Sequence, residues 1–216
     1  MNFGKGYQGH SYHFEDPFCF SKLESSIHCL LETYNSELSR DIVYLCIGTD
    51  RATGDCFGPL VGTRLQALLP SANIYGTLAS PTHAANLQDI LDKIMISYPN
   101  PLLIAIDASL GSADRIGYIN VNQGGLKPGT ALKKVLPEVG DFHISGVVNV
   151  GGFLEHMVLQ NTRLYTVYRM AEIVARSIYL AHIRLETSRC SLESTAAFKK
   201  LAGNEKPAGN FRPRYF

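Results

Sequence analysis

Two aspartates, each beside a stretch that should end at the edge of a sheet, carry the main chemical signal of this 216-residue sequence. Asp55 lies in Gly48-Thr-Asp-Arg-Ala-Thr-Gly-Asp55-Cys-Phe-Gly58-Pro, after the apolar run 42–47 and at the start of a predicted helix. There an ionised carboxylate can accept amide hydrogen bonds and meet the positive end of the helix dipole, together worth about 1 kcal/mol, so one reading is a plain N-cap. Asp107 directly abuts the run Leu-Leu-Ile-Ala-Ile at 102–106, and its plain reading is a turn-forming Asx motif. Neighbouring parallel strands lie about 4.8 Å apart, so carboxylates at two such strand ends can converge on one water or ion. The candidate third member is His143, in Gly140-Asp-Phe-His-Ile-Ser-Gly146; its alternative is a hydrogen-bonded structural residue. His83 competes from Ala79-Ser-Pro-Thr-His83, which also reads as the first turn of a helix. Cys56, at a helix N-terminus, suits either a thiolate nucleophile or a small buried filler. Asp50 is a secondary candidate, the alternative being a surface pair with Arg51. P-loop, zinc-protease and serine-hydrolase signatures are absent from the sequence.

These residues need a scaffold, and the hydrophobic pattern supplies one. Leu23, Ile27, Leu30, Leu31, Tyr34 and Leu38 fall at helical spacing over 22–38, with Ser21 as the N-cap. The run 42–47 (IVYLCI) reads as a strand covered on both faces, and Leu60, Val61, Leu65, Leu68 and Leu69 as a helix stopped by Pro70. A short strand over 73–78, a helix carrying Leu87, Ile90, Leu91 and Ile94, and a strand over 102–106 repeat that grammar. A further strand is expected over 116–121, a loop or lid over 127–140, and helices over 151–160 and 162–183. Alternating strands and helices imply a mostly parallel sheet in a three-layer α/β (αβα) sandwich. In such sheets ligands bind beyond the carboxyl ends of the strands, which selects the loops bearing Asp55, His83 and Asp107.

Composition narrows the class. With 45% hydrophobic and 18% charged residues and a net charge of +1, collagen-like, disulfide-dense and wholly disordered chains are excluded. Apolar runs such as 42–47 and 102–106 are far below the roughly 20 residues that cross a bilayer, so no membrane partner is expected. The N-terminus lacks a basic end followed by an apolar stretch, and a cytoplasmic location is the expectation. Cys19, Cys29, Cys46, Cys56 and Cys190 are widely spaced without a CxxC pair and read as thiols. Residues 184–216 hold seven Lys or Arg against three Glu, a net of +4, leaving −3 on the rest. That basic tail reads as a solvated or partly helical extension, or as an arm for an anionic partner or a second subunit in a homo-oligomer. The acidic body argues against nucleic acid. The division expected is 1–39 as an N-terminal extension and helix, 40–183 as the α/β domain and 184–216 as the tail.

Four motifs in order carry a resemblance: Cys46 to Gly62, Tyr75 to Leu87, Ile104 to Gly111 and His143 to Phe153. They closely resemble the YyaC family of sporulation proteins, over about residues 40–180. That family is similar to the germination protease of spores and, more distantly, to the hydrogenase maturation proteases. The resemblance therefore implies a phosphorylase/hydrolase-like (HybD-like) fold and a peptidase acting on a small spore protein, in the mother cell, forespore or spore interior. Germination protease has a Thr-x-Asp-x-x-Gly-Pro turn after its first strand and an acid after a later one, a match that falls on Asp55 and Asp107 as catalytic acids. The maturation proteases imply a metal-contacting trio, which here would be Asp55, Asp107 and His143. Two versions of the chemistry follow. In one, the acids share a proton and activate water, as in aspartic-type hydrolysis, without a cofactor. In the other, the trio holds a divalent metal ion that polarises the water or carbonyl. The first is preferred on the closer similarity to germination protease. A non-enzymatic sporulation factor that binds a protein partner through the groove or tail is the alternative function.

Overall fold

The computed structural model describes residues 9–128 and 138–202, with side chains as far as Cys190. In chain order the elements are β1 (His10–His13), α1 (Cys19–Tyr34), β2 (Ile42–Cys46), α2 (Phe57–Leu68), β3 (Asn73–Tyr75), α3 (Leu87–Ser97), β4 (Leu102–Gly111), β5 (Tyr118–Gln123), β6 (Phe142–Val150), α4 (Glu155–Gln160) and α5 (Leu164–Ala202), with a 3-10 turn at Ala113–Arg115. One six-stranded sheet has the order β1-β5-β6-β4-β2-β3. Its β3-β2-β4-β6 half is parallel, and β5 runs antiparallel to both β6 and β1. The architecture is α/β with a mostly parallel mixed sheet.

Strand alternation sorts the core into two layers. Tyr44, Cys46, Leu102, Ile104 and Ile106 face the layer formed by α1, α2 and α5, whereas Val43, Leu45, Leu103 and Ala105 face Leu87, Leu91 and Ile94 of α3. Along α5, Val167, Met170, Ala171, Val174, Ala175, Ile178, Ala181 and Leu185 recur at helical spacing and are all buried. The alanines let α1 and α2 pack close to this helix. No described helix is long and apolar enough to cross a membrane.

Several elements differ from the sequence expectation. Helix α1 starts before Ser21, because Asp16 accepts the Phe18 N–H (2.9 Å) and pairs with Lys22 Nζ (2.7 Å), while the Ser21 hydroxyl donates to Phe18 O (3.1 Å). The segment expected as an N-terminal extension and helix also supplies β1 to the sheet, while its helix buries Leu23, Ile27, Leu30 and Leu31 as their spacing implies. Strand β3 stops at Tyr75, since Gly76 has φ +87°. Strand β4 runs through Asp107 to Gly111, because β6, not expected as a strand, pairs with it along that length. Helix α5 passes through position 184 without a break, so the first part of the basic tail is helical. Residues 1–8, most of the expected lid (129–137) and the end of the tail (203–216) lie outside the described residues.

Candidate active site

After Cys46, β2 leaves the sheet. Ile47 donates its N–H to Ile106 O (2.7 Å), and Gly48, at φ +139°, donates to Thr82 O (2.8 Å). Strand β4 continues beside β6 alone. The chain leaves β2 toward α2 and β3 on one side, and leaves β4 toward β5 and β6 on the other. A crevice therefore opens between the carboxyl ends of β2 and β4, at a topological switch point.

Asp107 occupies this crevice for a reason of register. It continues the row Leu103–Ala105 that lies under α3, one step past the end of that apolar layer, and is 8% exposed. Asp55 arrives from the β2–α2 loop. The N-cap of α2 is Cys56, with no side-chain capping bond, so the Asp55 carboxylate is not spent on the helix. Its backbone carbonyl accepts the Thr49 N–H (3.1 Å), and Gly54 N–H donates to Leu159 O (2.8 Å), tying the loop to α4.

Asp55 and Asp107 are the two residues that border both lobes of the cleft. The first lobe, about 270 Å³, is lined by Arg51, His83, Ala84 and Pro128 among others. The second, about 300 Å³, includes Ser109, Lys127, His143, Ser145, Glu155 and Leu159. Burial raises the Asp107 pKa well above the ordinary carboxylate range, the Asp55 charge adds to this, and a hydrogen bond from the Ala108 backbone opposes it. Asp55 is also raised by burial, but the Thr49 N–H and the charges of His83 and His156 pull it back. Of the two acids, Asp107 is therefore the one pushed further toward its protonated form and Asp55 the one better held as a carboxylate.

The other candidates fare differently. His143 lies on β6, two residues before the Ser145 that pairs with Asp107. Its Nδ1 meets Gly124 O (2.8 Å), a group that only accepts, so Nδ1 carries the proton and Nε2 accepts from Asn122 Nδ2 (3.3 Å). Both ring nitrogens are thus engaged by the protein. Among the described residues no group of three or more His, Cys, Asp or Glu side chains is placed to hold a metal ion. The trio of Asp55, Asp107 and His143 borders one lobe but does not fit an ion as arranged. His83 lines the first lobe with both acids. Asp50 borders neither lobe and takes the Thr49 hydroxyl (3.4 Å).

Cys56 Sγ donates to Thr53 O (2.9 Å), and burial followed by the Asp55 charge pushes its pKa up to about 11. A thiol in that state is a poor nucleophile. Treatment with iodoacetamide at pH 7 is expected to leave Cys56 unmodified, while exposed Cys29 and Cys190 react. Peptide mapping by mass spectrometry checks this, and rapid labelling of Cys56 would contradict the assignment.

Ser145, Glu155 and His156 were missed in the sequence. The signal for Ser145 was present: Phe142, His143, Ile144 and Ser145 alternate apolar and polar as a half-buried strand does. His156 belongs to a six-residue helix far along the chain, and no local spacing connects it to Asp55.

Comparison with known proteins places the chain. Residues 13–177 match the family model described as "Protein of unknown function (DUF1256)". The "Uncharacterized protein YyaC" of Bacillus subtilis (strain 168) is 49% identical over 142 residues, 65% of this chain and 69% of that protein. Among solved structures, the [NiFe] hydrogenase maturation protease HycI from Thermococcus kodakarensis KOD1 is similar over 69% of this chain and 98% of its own, with 19% identity and a TM-score of 0.42. The chain belongs to the DUF1256 family.

Proposed function

We propose that this member of the DUF1256 family is an endopeptidase that cleaves a small protein with an acid pair, Asp55 as base and Asp107 as acid. The observation that carries the reading is the placement of two carboxyls from separate elements on one cleft; burial first and the charge of Asp55 second raise the pKa of Asp107. Asp55 takes a proton from water as its oxygen attacks the scissile carbonyl, and Asp107 gives its proton to the carbonyl oxygen. In the collapse, Asp55 returns its proton to the leaving nitrogen, Asp107 recovers one from the diol, and the C–N bond breaks. Such proton transfers typically contribute 10²–10⁴-fold in rate. The lobes on either side of the pair suit an extended polypeptide lying across both acids.

The motif resemblance to germination protease supports a spore protein as substrate and the mother cell, forespore or spore interior as the location. Incubating the purified protein with small acid-soluble spore proteins, with and without chelator, and sequencing fragments by mass spectrometry tests this. Cleavage that withstands chelator and is lost in Asp55→Asn is expected; intact substrates throughout would reject the peptidase. Loss of cleavage with chelator would instead restore the metal version.

One observation favours the second reading, a binding factor. Phe153 is 88% exposed and Leu154 and Met157 are also exposed, on the segment that borders the second lobe. A partner contact on this face would survive the double change of Asp55 and Asp107 to Asn.

A further inference from the structure

Building on the acid-pair reading, we propose that Ser145 binds the scissile carbonyl beside Asp107, its hydroxyl hydrogen directed into the cleft by a chain of side chains that begins at Arg115.

The residues form one row across the sheet. Asp107 pairs with Ser145, Ser145 with Asn120 and Asn120 with Ser11, so β4, β6, β5 and β1 each place one side chain on the same face. The apolar layer under α3 draws on β2, β4 and Val139, and the polar row extends past it, with Ser145, Asn120 and Ser11 half-buried.

Arginine only donates, and this fixes the direction of every bond that follows. Arg115 Nη2 donates to Ser11 Oγ and to Asn120 Oδ1 (3.4 Å). The Ser11 hydrogen then goes to Asn120 Oδ1 (2.6 Å). With its oxygen committed to two donors, the Asn120 amide presents Nδ2 on its other side, where it donates to Ser145 Oγ (3.4 Å). The opposite amide orientation would set Nδ2 against the guanidinium, donor against donor. Ser145 therefore accepts from Asn120, and among the described residues its own hydrogen has no protein acceptor. The space left to that hydrogen is the second lobe, which Ser145 borders together with Asp55 and Asp107. The start of the chain is itself held, since Arg115 closes the 3-10 turn Ala113–Arg115 and lies 3.9 Å over the Tyr118 ring.

Neighbouring parallel strands lie about 4.8 Å apart, so a carbonyl oxygen seated between Asp107 and Ser145 can take one hydrogen from each on its two lone pairs. Charge develops on that oxygen as water attacks. A donor already oriented, and backed through the chain by a cation, strengthens its bond at that moment without reorganising. His143, one row along, differs: Nδ1 donates to Gly124 O and Nε2 accepts from Asn122, so it has no hydrogen to offer the cleft.

The test uses the full chain, with small acid-soluble spore proteins as substrate. Ser145→Ala is expected to lower kcat by about 100-fold or more, as loss of one donor to a developing oxyanion does, with KM nearly unchanged. Ser145→Thr keeps the hydroxyl on a side chain suited to a strand and should recover most of that loss. Asn120 is a positioning residue that borders neither lobe. In Asn120→Asp the carboxylate only accepts, which turns the Ser145 hydrogen away from the cleft, and kcat should fall by a similar factor. Added to Ser145→Ala, the same change should cost nothing further. An equal further loss in that background would assign the effect to the added charge and overturn the chain. Wild-type rates in Ser145→Ala, alongside an inactive Asp55→Asn, would overturn the role of Ser145 and leave the peptidase standing. A wild type that cleaves nothing would remove both. Independently of turnover, the Asn120 side-chain amide resonances should shift in Ser145→Ala, and unchanged resonances would overturn the Asn120–Ser145 link.

Discussion

Replacing Asp107 by Asn lowers kcat/KM for peptide cleavage by about 10³-fold or more, while the folded protein becomes no less stable at neutral pH. The amide matches the shape of the protonated carboxyl but can neither give up a proton to the carbonyl oxygen nor take one back. The stability half follows from linkage. Burial first, and the Asp55 charge second, raise the folded-state pKa of Asp107 above its unfolded value. Its contribution to stability is therefore complete below the unfolded value of about 3.9 and is lost as the pH rises through the folded one. Asn does not titrate. The urea midpoints of wild type and variant should converge in acid, and the wild type should fall behind as the pH rises. Retained cleavage would refute the role of Asp107 as acid, and a midpoint difference independent of pH would refute its raised pKa.

Gly58→Ala is expected to cost about 3 kcal/mol or more and to abolish activity, although Gly58 borders neither lobe. A Cβ at this position would lie 2.1 Å from Ile47 O, 2.8 Å from Ile47 N and 2.9 Å from Ile47 C. These are backbone atoms at the point where β2 leaves the sheet, so no rotamer change relieves the clash. Helix α2 would have to lift from β2, carrying the Asp55 loop with it. Gly151→Ala provides the comparison: its Cβ would meet Leu110 Cβ at 3.4 Å, an ordinary contact, and should change stability by about 0.5 kcal/mol or less. Urea denaturation of both variants decides the matter, and similar midpoints would show that the contact at Gly58 yields.

Much of the parallel half of the sheet was legible because apolar runs such as 42–47 and 102–106 announce strands covered on both faces. Strands β6 and β1 were harder. In β6, polar His143, Ser145 and Asn149 interrupt the apolar pattern, and β1 is a four-residue edge strand with little hydrophobic signal. Missing β6 also shortened β4 in the sequence reading and placed Asp107 after the strand instead of within it.

The order of residues along the chain was enough to mark Asp55 and Asp107 as carboxyls at the edge of a sheet, since periods of 2 and 3.6 are local properties that neighbouring residues encode. It was also enough to identify the family through four consecutive motifs. The histidines were decided only by the tertiary structure. Register turned His143 toward Asn122 and Gly124, while the Ile47–Thr82 bridge and the packing of α4 brought His83 and His156 to Asp55. Strand order, crossover direction and register are set by the packing of distant segments against one another, and no spacing within a segment carries that information.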